Sequence, residues 1–246
     1  MKIIPAIDLK DGKCVRLFQG EFDQSTEYSN DPVAVARRFS ALDVQDLHVV
    51  DLDGARSGEQ ANHVIVSTIT EETGLDVQLG GGIRDRDAVE AWLNHGVARC
   101  VIGSMAITDA GSVREWLREF GADRIVLALD VRVSTDGTPI LTTHGWTRDT
   151  ALSLWECIDQ YQDVGLKHVL CTDVSRDGAM SGPNIALYEE TARRYPNLAL
   201  QASGGVRHVG DLAELRAHGI PAAISGRALL DGAITSAEVA AFRQSA

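Results

Sequence analysis

Two aspartates stand at matching ends of two apolar runs, Asp8 in IIPAID and Asp130 in IVLALD, 122 residues apart. A carboxylate at the end of a strand either caps the following loop or transfers protons at a cleft. A matched pair favours the second, because facing carboxylates divide the work of base and acid when their surroundings separate their pKa values. Asp51 and Asp173 end two further apolar runs. Glycine turns accompany them. Gly81–Gly82 leads into a helical pattern near Asp85 and Gly204–Gly205 into one near His208, while Gly103–Ser104 and Gly226–Arg227 follow later runs. Without a Cβ the backbone can approach a phosphate and turn its N–H groups toward it, and a helix N-terminus adds favourable charge. A lone pair of glycines marks only a tight turn. Two matched sets point to two phosphate cradles, hence to a substrate phosphorylated at both ends. Arg227 has no counterpart at Ser104 and adds charge to the second cradle. Arg84 and Arg207 follow the glycine pairs and either steer an anion or pair on the surface. Trp146, in a polar loop, either stacks on a planar heterocycle or anchors its loop. His48 and His168 lie in strand patterns and read as structural.

The elements that position these residues are duplicated. Gln78–Ile107 recurs as Gln201–Leu230, with Gln78/Gln201, Gly81/Gly204, Gly82/Gly205, Arg84/Arg207, His95/His218, Gly96/Gly219 and Gly103/Gly226 identical. VVDLDGA at 49–55 parallels CTDVSRDGA at 171–179 with a two-residue insertion that accompanies Asp177. Apolar runs at Ile3–Asp8, Asp46–Asp51, Val77–Leu79, Arg99–Ile102, Arg124–Asp130, His168–Asp173, Ala199–Ala202 and Ala222–Ser225 predict eight strands. Helical patterns lie between them, at Asp31–Leu42, Asp85–His95, Ala110–Phe120, Thr150–Val164, Asn184–Tyr195 and His208–His218. Strand–helix alternation makes a parallel sheet with covering helices. Eight units repeated at half length predict an α/β (β/α)8 barrel of two half-barrels, about 1–122 and 123–246, in one domain. An open doubly wound sheet has no reason to repeat halfway. In a barrel the strand-terminal aspartates gather at one mouth, where residues of this kind tend to be catalytic. The polar segments Lys10–Asn30 and Arg132–Asp149 occupy equivalent places and read as long βα loops, candidate lids.

Composition narrows the classes. A net charge of −12 argues against broad nucleic-acid binding, which leaves a basic footprint. The four cysteines are scattered without a C-x-x-C pair, so no metal site is expected, and reduced thiols fit a cytoplasmic protein. The N-terminus carries no signal-peptide pattern, and no window approaches a membrane span.

IIPAIDLKDGKCVRLFQGEF, LHVVDLDGA, LGGGIR, VIGSMA, LALDVR, GW, CTDVSRDGAMSGPN, ASGGVR and ISGRALL together resemble the isomerase family of histidine biosynthesis. That family acts on the bis-phosphorylated phosphoribosylformimino-aminoimidazole carboxamide ribotide (ProFAR). The resemblance runs from Met1 to about Gly232. It implies a duplicated barrel, an Amadori rearrangement of an aminoaldose to an aminoketose, no metal or organic cofactor, and a small-molecule partner with the chain as a monomer. Carried onto this sequence, Asp8 is the general base at C2′ of the sugar, and Asp130 is the matching acid with Asp177 as its rival. Thr172 is the hydroxyl that positions the reacting sugar. Gly81, Gly82, Gly103 and Ser104 hold one phosphate, and Gly204, Gly205, Gly226 and Arg227 the other. Arg16, Arg84, Gly145, Trp146, Asp173, Gly178, Ser203 and Ser225 complete the binding set. His144, before Gly145–Trp146, departs from the small residue expected there.

Three other readings compete. The sister cyclase of imidazole glycerol phosphate synthase shares the duplicated barrel but typically carries Cys before the Leu–Asp of its first strand, where this chain has Ala6–Ile7–Asp8. A bifunctional isomerase that also rearranges phosphoribosyl anthranilate shares most of the motifs. A non-enzymatic phosphosugar-binding module has no need for Asp8 opposite Asp130.

Overall fold

The computed structural model describes residues 1–18, 20–143, 145–146 and 148–245; His144, and with it the departure noted above, lies outside them. Twelve strands are formed: β1 (Lys2–Lys10), β2 (Lys13–Phe18), β3 (Glu21–Ser29), β4 (Asp46–Asp51), β5 (Asp76–Gly80), β6 (Arg99–Ile102), β7 (Ile125–Val133), β8 (Pro139–Thr143), β9 (Arg148–Ser153), β10 (His168–Asp173), β11 (Ala199–Ser203) and β12 (Ala222–Ser225). Eight of them pair in parallel in the order β1–β4–β5–β6–β7–β10–β11–β12. The β1–β12 ladder, with Ile3 opposite Ala223, closes the ring. These are the eight strands the sequence predicts, and the closed parallel barrel with its surrounding helices is an α/β (β/α)8 barrel.

Strand alternation sorts side chains between two environments. Ile4 and Ala6 of β1 point into the barrel with Val101, Val126, Leu170 and Ile224. Ile7 and Leu9 point outward into the larger core beneath the helices, with Leu47, Val49, Val77 and Leu79. Also in the interior, Gln78 and Gln201 exchange amide hydrogen bonds of 2.7 and 3.0 Å. Their strands are not neighbours in the sheet, so this pair spans the barrel and joins equivalent positions of the two halves. At the other end, buried Asp46 accepts from Lys2 at 2.6 Å and Arg99 at 3.0 Å.

The helices start where capping chemistry permits. Asp31 caps Pro32–Ser40, Asp85 caps Arg86–Asn94 and Asn184 caps Ile185–Arg194, each through its side chain.

Three expectations are corrected. Lys10–Asn30 and Arg132–Asp149 are largely β-hairpins, not loops: β2 and β3 extend β1 antiparallel, and β8 and β9 extend β7. The turn at Asp11–Gly12 has φ of 50° and 74°, positive at both positions as the tight hairpin turn requires. The helix expected over Thr150–Val164 begins only at Leu154, because β9 runs through Ser153. There Ser153 and Glu156 form a reciprocal capping box that fixes the start. The helix His63–Thr73 was not anticipated. Its HVIVSTIT run is rich in β-branched residues of poor helix propensity, and burial of Val66 and Ile69 overrides that preference.

Candidate active site

The mouth of the barrel collects three carboxylates. Asp8, near the end of β1, is 6 % exposed. Arg16 of β2 donates to it at 3.0 Å, and the same guanidinium lies 3.6 Å from Asp177 in the loop after β10. The hairpin that reads as a lid therefore delivers a cation between two candidate catalytic groups. Burial pushes the Asp8 carboxyl up to about 6; Arg16 opposes the rise and Asp177 adds to it.

Asp130 lies beside Thr172 in the β7–β10 ladder. Burial raises its pKa, while side-chain hydrogen bonds from Trp146 and Thr172 oppose that shift and Asp177 adds to it. Trp146 has a left-handed backbone, φ 69°, which costs a bulky residue energy and is held only where the surroundings insist. Its indole lies against Gly20 of the first hairpin, where an added Cβ would stand 2.7 Å from the ring. Trp146 thus anchors its loop through Asp130 and bridges the two hairpins. Gly145 precedes it, also left-handed at φ 63°.

The second cradle is an actual cleft. Gly204, Gly205, Ser225, Gly226 and Arg227 line it together with Arg16, and Asp177, Gly178 and Ser203 complete the same wall. Two buried polar atoms in this lining, Arg16 Nε and Ser225 Oγ, have no hydrogen-bond partner among the described residues. An unpaired buried donor costs about 1–3 kcal/mol, so these two groups are available to an acceptor entering the cleft. The space where a Gly226 Cβ would sit is 3.0 Å from the Arg16 guanidinium. In the first cradle Gly103 faces open space, and Ser104 precedes the short helix Met105–Thr108.

The glycine pairs also serve the fold. Gly81 has φ 106°, and a Cβ there would meet the Asp51 carbonyl oxygen at 2.1 Å. A Cβ on Gly82 would stand 2.4 Å from the Gly54 carbonyl oxygen, and one on Gly205 2.3 Å from the Gly182 carbonyl oxygen. In both halves the pair presses on the backbone of the preceding βα loop, so the tight-turn and cradle readings coexist.

The other strand-terminal aspartates organise those same loops. Asp51 accepts from Gly54 N at 2.9 Å and Asn62 Nδ2 at 2.7 Å. Asp173 accepts from Ser175 N at 3.0 Å and Asn184 Nδ2 at 2.7 Å. Each partner asparagine stands 11 residues further on, a matched pair the sequence carries but that was not read from it. Arg84 donates to the Ala55 carbonyl at 2.9 Å and packs over Gly58. Arg207 pairs with Asp211 at 2.7 Å and packs over Gly182. Both arginines therefore brace loops.

His48 sits beneath the mouth, 3.1 Å from Gln78 Nε2. Burial, aided by Arg16, pushes its pKa down to about 3, so it is neutral at physiological pH. The Gln78–Gln201–His48 floor went unseen as a unit, although the repeat contains both glutamines. Among the described residues no group of three or more His, Cys, Asp or Glu could hold a metal ion, and no helix is long and apolar enough to cross a membrane. The four thiols are free and buried.

A family model described as "Histidine biosynthesis protein" matches residues 2–235, nearly the whole chain.

Proposed function

This chain belongs to the histidine biosynthesis protein family, and we propose that within it the chain is the isomerase that converts ProFAR to its ribulosyl isomer. The observation that carries this reading is the joining of Asp8 and Asp177 through Arg16 beside a cleft with unsatisfied buried donors. Opening an aminoaldose ring needs a proton on the ring oxygen as the C1′–O bond breaks. The resulting Schiff base then loses its C2′ proton, and the enolamine becomes a ketone as its C2′ hydroxyl proton leaves and a proton is delivered to C1′. No atom is gained or lost, so an acid and a base suffice.

Asp8 is the base. Its carboxylate is held by one arginine and is only moderately basic, which suits proton removal near neutral pH. Asp177 is the acid: it lines the cleft, whereas Asp130 lies outside that lining and accepts hydrogen bonds from Trp146 and Thr172. Asp130 then holds Trp146 and the sugar hydroxyls in place. Phosphates in the two cradles align the sugar between Asp8 and Asp177, converting remote binding energy into orientation.

The cyclase belongs to the same family, and Ala6–Ile7–Asp8 in place of its Cys–Leu–Asp favours the isomerase. Three parallel assays with EDTA present test the choice. We expect ProFAR to be isomerised, the ribulosyl isomer with ammonia to be left uncyclised, and phosphoribosyl anthranilate to turn over far more slowly than ProFAR. Cyclisation would assign the sister activity, and comparable turnover of phosphoribosyl anthranilate would assign the bifunctional one.

A further inference from the structure

The second cradle is tied to the first hairpin through a side chain outside the cleft. Tyr28, at the end of β3, donates its hydroxyl to Asp231 Oδ1 at 2.6 Å. Arg227 Nε donates to Asp231 Oδ2 at 3.1 Å, and its Nη1 to the Gly178 carbonyl at 2.7 Å. Gly178 follows Asp177, and Asp177 faces Arg16, which pairs with β3 at Thr26. The contacts form a closed ring: hairpin, Asp231, Arg227, the loop of Asp177, Arg16, and the hairpin again. Both oxygens of one carboxylate are engaged, each by a different element. Burial and the bond to Asp231 push the Tyr28 hydroxyl up to about 12, so it remains a donor throughout the neutral range.

We propose that Asp231 is a positioning residue for the isomerisation. It orients the Arg227 guanidinium along the cradle and fastens the β2–β3 hairpin, with Arg16 on it, over the mouth. The proposal rests on the isomerase reading for its reaction, but not for its geometry. A guanidinium is flexible on its stem and loses little further freedom on binding an anion once two of its nitrogens are fixed. Asp231 takes Arg227 Nε and the Gly178 carbonyl takes Nη1, and Arg227 lines the cleft. Asp231 thus holds the arginine without occupying all of its donors.

Two variants separate the arms. Tyr28→Phe cuts the hairpin arm alone, and Asp231→Ala cuts both. In each, amide hydrogen exchange across residues 13–29 is expected to speed up about tenfold. Calorimetric titration with inorganic phosphate should show weaker binding, about tenfold, in Asp231→Ala and wild-type binding in Tyr28→Phe. With ProFAR, Asp231→Ala should raise KM about tenfold, while Tyr28→Phe lowers kcat and leaves KM near wild type. Asp231→Asn, which keeps an oxygen for Arg227, should restore phosphate affinity. A merely structural role would lower the melting temperature and speed exchange but leave phosphate affinity and the KM for ProFAR at wild type. Wild-type exchange in the hairpin of Asp231→Ala overturns the proposal, as does wild-type phosphate affinity in that variant. If exchange responds but ProFAR is not a substrate, Asp231 stands as the fastening and the isomerase reading falls. If the wild type binds no phosphate, the cradle falls and the exchange experiment alone decides Asp231.

Discussion

Asp8→Asn is expected to lower kcat for ProFAR about 10³-fold, the contribution of a positioned general base, while the protein stays folded. The amide has the same shape and can still accept from Arg16, but cannot take the C2′ proton. The stability consequence follows from the direction of the pKa shift. The folded-state value, about 6, lies above the ordinary 3.8. Protonation of Asp8 therefore favours the folded state, and stability is lost as pH rises from about 4 through 6. Above that range the ionised carboxylate costs the fold about 3 kcal/mol. Asn removes this penalty but also weakens the partnership with Arg16, so the melting temperature at pH 7.5 should match or exceed that of wild type. Wild-type kcat/KM should rise with pH through about 6 as Asp8 ionises. Near-native turnover in Asp8→Asn would remove Asp8 as the base, and a collapse in melting temperature would make its role structural.

The second large effect distinguishes two carboxylates. In single turnover with saturating ProFAR, Asp177→Asn should slow the chemical step about 10²–10³-fold, as expected for loss of a general acid. Its KM should change little, because the cradles remain. Asp130→Asn should act differently. The amide keeps an oxygen for one donor but no longer accepts two equally well, so the Trp146 anchor loosens. The expected result is a KM raised about tenfold, a smaller loss in rate, and a change in Trp146 fluorescence on substrate binding. The reverse pattern, with Asp130→Asn abolishing the chemical step and Asp177→Asn mild, assigns the acid to Asp130.

Much of the fold is legible in the sequence. Eight strands follow from apolar runs of three to seven residues, because a parallel sheet covered on both faces needs continuous hydrophobicity. The half-length repeat carries the barrel and sets Asp8 in β1 and Asp130 in β7, the matching strands of the two halves. What stayed hidden depends on partners distant in sequence. Nothing local in VRLF predicts that Arg16 reaches across to Asp8 and Asp177, because that contact is made by a hairpin folding back over the mouth. Tyr28 and Asp231 stand 203 residues apart. The Asp51 and Asp173 carboxylates read as candidates for the mouth, yet each turns into its own loop to satisfy backbone N–H groups and an asparagine. The helix starting at Leu154 could have been read correctly: Ser153 and Glu156 form an S-x-x-E signature, and that local signal is what sets the boundary.

The proposed isomerase function has one overriding consequence, that ProFAR is held by a phosphate at each end with its sugar at Asp8. The most direct measurement is kcat/KM for ProFAR beside its two singly dephosphorylated forms. The account predicts ribulosyl product from ProFAR, with the loss of either phosphate lowering kcat/KM about 10²-fold or more, as two charge-assisted hydrogen bonds would. Equal turnover of ProFAR and either dephosphorylated form, or no conversion of ProFAR, would contradict it.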